Sequence, residues 1–377
     1  MILDSHKIKR TLARINEARS IINFTFAGRL DLDARLRIRS QPNRRLVEAF
    51  GINNSFTTTS VKTHILFLKM ASASISTSKW KWQPLFDQAR HLLKHEISEC
   101  GAYSDGRVGL ASCVRHLSLR IVLSVIFKID PLEPSKVHIS AITEEINDQW
   151  IRSKTSNQIL KSKALFASLN SLNLGLSSDD VAMPPEMALG IILPAFETLW
   201  RVVLLTFVTA FHRQYNHSIE ERLKDIPACL GDSSSEKESL KVAKEGLRLY
   251  PSTKRVYRTD STSFRELNVA ADVEWCHRSD EIWGPDSLSF RPDRFDHLSA
   301  LQKNSYFPFG LQPHVCPAVG GFGERLITML VAALGQELSH TVGSIRFNDA
   351  DLDGRAQLPL PTGRGDMEKW ALFLKPH

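Results

Sequence analysis

The stretch Phe307-Pro308-Phe309-Gly310-Leu311-Gln312-Pro313-His314-Val315-Cys316-Pro317-Ala318 decides the fold. It places one cysteine on a loop bent by glycine and prolines, just ahead of the apolar run 326–338, which reads as a helix. Proline fixes φ and glycine opens turns that other residues avoid, so such a loop has few backbone paths. A loop of this kind holds a sulfur rigidly. Nearby backbone N–H groups and the N-terminus of the coming helix favour its thiolate form.

At 377 residues the chain can bury a large core, as one big domain or two ordinary ones. Hydrophobic content of 42% and charged content of 24% are those of a soluble globular protein. The first residues are polar and basic, so no secretory leader is expected. The five cysteines, Cys100, Cys113, Cys229, Cys276 and Cys316, are odd in number, scattered and without C-x-x-C spacing. That argues for a reducing compartment and against a disulfide framework or a structural zinc site. The net charge is +7, and residues 1–45 alone hold eleven Lys/Arg against four acids. A basic arm could meet anionic lipid or an acidic protein. The plainer expectation is a solvated helix face, and no nucleic-acid partner is expected.

Helical periodicity covers 60–75, 83–100, 108–128, 137–154, 158–172 and 186–213. Strand-like material comes late, at 252–258 and 267–275. The chain therefore reads as mainly α with a small β-sheet (α+β). Serine-rich patches at 71–78 and 231–239 are short, and the second reads as a loop before a helix. The longest apolar run, 187–211, is long enough to span a membrane but contains Pro194, Glu197 and Arg201. A helix buried in a large domain is the expectation.

Three further motifs precede the cysteine loop. Glu197 and Thr198 set an acid beside a hydroxyl inside that apolar helix, which is costly without a partner or a task. The local alternative pairs Glu197 with Arg201 one turn on. Glu245 and Arg248 share one helix face at i, i+3, and Pro251 stops that helix. On a surface such a pair is worth little; in a core it must satisfy both charges. Phe290-Arg-Pro-Asp-Arg294-Phe295 offers a second guanidinium between aromatic residues.

Taken in order, the acid–alcohol pair, the Glu-x-x-Arg helix, the Arg294 segment and the cysteine loop resemble the cytochrome P-450 family. The resemblance covers about 40–377 and is most specific over 186–377. It implies one domain, 1–377, of triangular helical architecture, with 1–40 as an atypical basic segment. It implies haem b, with Cys316 as axial ligand of the iron. Arg258 and His314 would hold propionates, His64 would lie at the haem edge, and Phe309 would flank the cofactor. Thr198 and Glu197 would handle protons, and Glu245, Arg248 and Arg294 would form a structural cluster. Electrons would come from NADPH through the cytochrome P-450 reductase, and the substrate would be a hydrophobic small molecule. Lesser strings at 271–286 and 363–373 agree with the family, and the chain as a whole resembles its filamentous-fungal, secondary-metabolism members. The implied location is the endoplasmic reticulum membrane. An N-terminal anchor is not expected in this chain, so attachment would be peripheral.

The chain departs from the family at Gln312 and Ala318, where glycines are usual, and at His314, where arginine is usual. The family's first strands are also expected to be missing, leaving a sheet edge bare. The alternative function is a truncated member that binds haem without turnover. A rearrangement or dehydration without a reductase is a third. Competing chemistries are weaker. His91 and His95 lack the intervening Glu of a zinc protease, 320–325 is no dinucleotide loop, and no G-x-S-x-G occurs.

Overall fold

The apolar runs fold as helices whose ends are set by local chemistry. The computed structural model describes residues 2–76, 81–103, 106–155, 161–175, 182–226, 228, 230, 235–260, 267–347 and 349–375. In chain order the first helices are α1 (Ile2–Ile22), α2 (Leu32–Ser40), α3 (Arg44–Phe50), α4 (Val61–Ser74), α5 (Trp82–Tyr103), α6 (Leu110–Phe127), α7 (Lys136–Thr155), α8 (Lys163–Ser171) and α9 (Pro185–Val208). They continue as α10 (His217–Lys224), α11 (Ser235–Leu249), α12 (Val273–Arg278), α13 (Asp280–Trp283), α14 (Ala300–Ser305), α15 (Phe322–Leu338), α16 (Ala350–Gly354) and α17 (Arg364–Met367). Asp31, Ser60 and Ser162 cap α2, α4 and α8 by accepting a backbone N–H three residues on. Of the predicted helix 158–172 and the serine-rich patches, residues 158–160, 77–78 and 231–234 lie outside the described set.

Strands are few. β1 (Arg107–Gly109), β4 (Gly343–Arg346) and β5 (Ala371–Leu374) form an antiparallel sheet in the order β1-β5-β4. β2 (Arg255–Asp260) and β3 (Leu267–Asp272) pair antiparallel, with Arg258 opposite Val269. The strand expected over 267–275 stops at Asp272. That side chain accepts the Trp275 N–H and caps α12, so 273–275 are helical. Among the described residues no further strand joins β2 or β3. Instead α1 packs Ala18, Ile21 and Ile22 against Ala271, Val273, Cys276 and Phe307.

The expectation of a solvated basic arm holds over much of its length, Arg14 included, and fails at Arg39. Lys7, Lys9, Arg10 and Arg29 are exposed. Arg14 stacks 3.9 Å over Trp275 and pairs with Asp272 at 3.2 Å, whereas Arg39 is buried. In α2, Leu36 and Arg39 fall on one face, so the arginine continues the apolar stripe inward.

The core is built on α9. Its Phe196, Trp200, Val203, Leu204 and Phe207 are completely buried, each contributing roughly 1.5–3 kcal/mol of apolar transfer. The helices α6 (Leu110–Phe127) and α9 with its following turn (Pro185–Arg213) are long and apolar enough to cross a membrane, yet 89% and 78% of each lie inside the protein. Pro194 has no N–H for the Gly190 carbonyl, and the Asn54 amide donates to that oxygen instead at 2.8 Å. Beyond α9, one π-helical turn, Thr209–Arg213, is pinned by a 2.5 Å bond between Thr209 and Tyr250.

Candidate functional site

The cysteine loop is closed by its own backbone. Cys316 N–H donates to Phe309 O at 2.9 Å, Gly310 N–H to Phe307 O at 3.0 Å, and Gly323 N–H to Ala318 O at 2.9 Å. Gly310 has φ 76°, a left-handed conformation that suits glycine, whereas Gln312 is not left-handed and tolerates the loss of the usual glycine. The Gln312–Pro313 peptide is cis. The Phe309 ring lies where a Cβ on Gly323 would come within 2.7 Å, so the glycine lets the loop rest on the start of α15. Cys316 is half-buried and free. Burial pushes its thiol up, while the Ala318 N–H and the Arg39 charge pull it down. A coordinated metal ion deprotonates such a group outright.

Beside the sulfur lies a cluster of basic groups drawn from four elements. His314 comes from the loop, His64 from α4, Arg39 from α2 and Arg258 from β2. The rings of His64 and His314 are 5.1 Å apart, and Phe24 stands 5.1 Å from His314 on its other side. Arg258 stacks 4.5 Å over Phe24. Arg39 Nη1 reaches Ser55 Oγ at 3.1 Å and His314 Nδ1 at 3.3 Å, and Ser55 Oγ meets His64 Nδ1 at 2.9 Å. Burial holds Arg39 at about 10 and Arg258 at about 9, and for Arg258 the charge of Arg39 adds to the effect. Burial, with Arg39 next, pushes His314 down to about 3. His64 is lowered by the same causes.

This set fits an acidic prosthetic group. Among the described residues no carboxylate pairs with Arg35, Arg39 or Arg258. Buried cations normally have partners. Arg258 Nε, Arg35 Nε and His314 Nε2 are buried without any hydrogen-bond partner. Two carboxylates on a flat ring would meet that deficit, with Cys316 next to it.

The second constellation locks the chain behind the loop. Glu245 and Arg248 are fully buried and joined twice, by Arg248 Nε at 2.7 Å and Nη2 at 2.8 Å. Arg294 Nε and Arg291 N–H also donate to Glu245 Oε1, at 3.3 and 2.9 Å. Arg248 reaches on to the carbonyls of His277, Ser287 and Ser289 and stacks 5.0 Å over Trp283. One carboxylate and two guanidiniums thus gather α11, α12 and the 283–296 segment. Phe307 N–H donates to His277 Nε2 at 3.1 Å, which ties this knot to the cysteine loop.

The acid–alcohol pair is split. Successive helical residues point about 100° apart. Thr198 is half-exposed, on the stripe of α9 that carries Pro194 and Ala195, and its hydroxyl donates to Pro194 O at 3.0 Å. Its oxygen keeps lone pairs for accepting a further bond. Glu197 turns inward and pairs with Arg364, which also donates to Asn147 Oδ1 and stacks 4.6 Å over Trp150. The Arg201 pairing suggested by i, i+4 spacing is absent, and Glu197 Oε1 has no partner.

Sequence reasoning missed Arg39, Phe24, Ser55 and Arg364. Only Arg39 carried a local signal, its place on the apolar face of α2. His91 and His95 form no metal site, since no group of three or more metal-binding side chains occurs among the described residues.

Residues 240–329 match the Cytochrome P450 family model. Cytochrome P450 714A2 of Arabidopsis thaliana is 36% identical over 27% of this chain and 21% of its own length. Cytochrome P450 CYP72A616 of Paris polyphylla is 27% identical over 44% of this chain and 34% of its own. The chain thus spans about a fifth to a third of the length of these relatives. A putative cytochrome P450, CYP13A2 of Caenorhabditis elegans, is 29% identical over 41% of this chain and 32% of its own. Among solved structures, a 6-coordinated cytochrome P450 from Thermus thermophilus has a TM-score of 0.60 at 17% identity, covering 91% of this chain and 90% of that one. A second structure, CYP175A1 from another strain of the same organism, gives 0.58 at 17% identity over 82% and 78%. At these identities the structures speak for the fold.

Proposed function

We propose, for a chain that belongs to the cytochrome P450 family, that it is a haem-thiolate monooxygenase placing one atom of O2 into a hydrophobic small molecule. The observation that carries this reading is the basic cluster of Arg39, Arg258, His64 and His314, without a carboxylate, beside Cys316.

Cys316 would ligate the iron, and Phe309, packed on α15, would fix the loop. Arg258, His314 and His64 would hold the acid groups. When bound, haem supplies the electron and oxygen chemistry. Thr198 Oγ1 would accept a hydrogen bond on the open face of α9 and orient a proton there. The unpartnered Glu197 Oε1, steadied by Arg364 and Asn147, would take up and return protons behind it. Pro194 and Ala195 give the same face an apolar surface that excludes water around the substrate. NADPH would serve through a separate reductase, for which the basic surface residues of α1 offer complementary charge. The filamentous-fungal, secondary-metabolism setting and the endoplasmic reticulum location rest on the sequence resemblance; the matched relatives named above are from plants and a nematode.

A haem-binding member without turnover is the second reading, favoured by the separation of Glu197 from Thr198 and by His314 in place of arginine. The test is the absorption spectrum of the reduced, carbon monoxide-bound protein, with Cys316→Ala as control. A strongly red-shifted Soret band, lost in the variant, supports the thiolate site, and NADPH-dependent oxygen use with a reductase then decides turnover. An unshifted band refutes thiolate ligation, and failure to take up haem refutes the reading altogether.

A further inference from the structure

The hydrogen-bond directions around Arg39 fix more than its own place. A guanidinium only donates, so the 3.3 Å contact makes His314 Nδ1 an acceptor and puts the ring hydrogen on Nε2. Arg39 Nη1 also donates to Ser55 Oγ at 3.1 Å. The Ser55 hydroxyl, which accepts from Arg39, also meets His64 Nδ1 at 2.9 Å and so links the two groups. One arginine thereby sets His314 as an Nε2–H donor and reaches His64 through Ser55. His314 Nε2 is buried and has no partner in the protein. Arg39 itself is held flat, 4.4 Å over Phe56, and has no other side-chain acceptor among the described residues. Across the cluster, Arg258 is held by Phe24, whose backbone sits in the left-handed region at φ 70°. A non-glycine residue there persists only where its surroundings over-determine it. The result is a cluster of donors that no carboxylate answers among the described residues, with Arg258 Nε and His314 Nε2 unpartnered.

We propose that Arg39, from the atypical N-terminal segment, is the principal anchor for a carboxylate of the prosthetic group, replacing the loop cation that His314 cannot supply, and that it works as one unit with His314 and His64 through Ser55. This rests on the haem reading above. Arg39 is then a binding residue that no local motif marks, and the basic arm contributes directly to the site.

The experiment compares equilibrium binding of haem with that of haem dimethyl ester, in which both carboxylates are blocked, to the full-length chain. Wild type should prefer haem by at least about tenfold, the scale of one hydrogen bond to a charged group. Arg39→Ala should lose about tenfold or more of that preference and release haem faster, while the thiolate Soret signature persists. Arg39→Gln, closer in shape and uncharged, should lose nearly as much, and it serves if the alanine variant fails to fold by circular dichroism. Arg39→Lys should recover part. Equal preference in wild type and Arg39→Gln overturns the assignment but leaves the haem reading intact. Uptake of neither compound by wild type overturns both.

Discussion

Replacing Glu245 with glutamine keeps the side chain's shape and removes one charge from a fully buried cluster. The carboxylate accepts two bonds from Arg248, one from Arg294 and one from the Arg291 N–H, at 2.7–3.3 Å. Glu245→Gln turns an amide N–H₂ toward guanidinium donors and leaves two buried cations without a full counter-charge. Breaking a buried pair in this way costs about 3–5 kcal/mol, against a total of about 5–15 kcal/mol for a folded domain. For a chain of 377 residues the unfolding entropy is about 0.8 kcal/mol/K, so a 4 kcal/mol loss lowers Tm by about 5 °C. The stricter test is Glu245→Met with Arg248→Met. Apolar replacement of a buried ion pair is often neutral. Here it should not be, because Arg248 also serves the carbonyls of His277, Ser287 and Ser289. Three orphaned carbonyls at roughly 1–3 kcal/mol each keep the double variant at least about 3 kcal/mol below wild type. Urea unfolding with the m-value held constant measures both. A double variant within about 1 kcal/mol of wild type refutes the claim that this arginine staples the 277–289 carbonyls to α11.

Arg364→Met should cost about 3–5 kcal/mol by stranding the Glu197 carboxylate, and adding Glu197→Met should restore much of it; a double-mutant cycle by urea unfolding gives the coupling. Gly335→Ala should destabilise by about 1–3 kcal/mol, since its Cβ would collide with the Phe211 ring where α15 meets the π-helical turn; thermal unfolding reads this. Burial holds His277 down to about 3 and His212 down to about 4. Below about pH 6.5 the unfolded chain therefore binds protons that the folded one refuses, so stability falls as pH falls, by about 1.4 kcal/mol per pH unit per histidine. His277→Gln should remove one histidine's share of that slope between about pH 6 and 5 in chemical denaturation.

What the sequence disclosed and what it withheld divide along distance in the chain. Glu245 and Arg248 were legible because i, i+3 spacing puts them on one face, and Arg294 because its segment follows in order. The long helices were legible from period alone. The partner of Glu197 was not, since Arg364 stands far along the chain while Arg201 offered a tempting local alternative. The inward turn of Arg39 was masked by the arginines around it, although Leu36 one turn earlier marks the buried side. The end of β3 was readable in principle, because Asp272 has the residue type and position of a helix cap. The surroundings of Cys316 could not be read from spacing, because burial pushes its thiol up while the Ala318 N–H and the Arg39 charge from a distant helix pull it down.

The missing N–H of Pro194 has a consequence beyond its own turn. The Gly190 carbonyl it leaves free is taken by Asn54, and the next residue, Ser55, is the relay between Arg39 and His64. The central helix and the donor cluster are therefore harnessed to the same short span of chain. The bond that repairs the interrupted turn of α9 and the relay inside the donor cluster thus come from neighbouring residues.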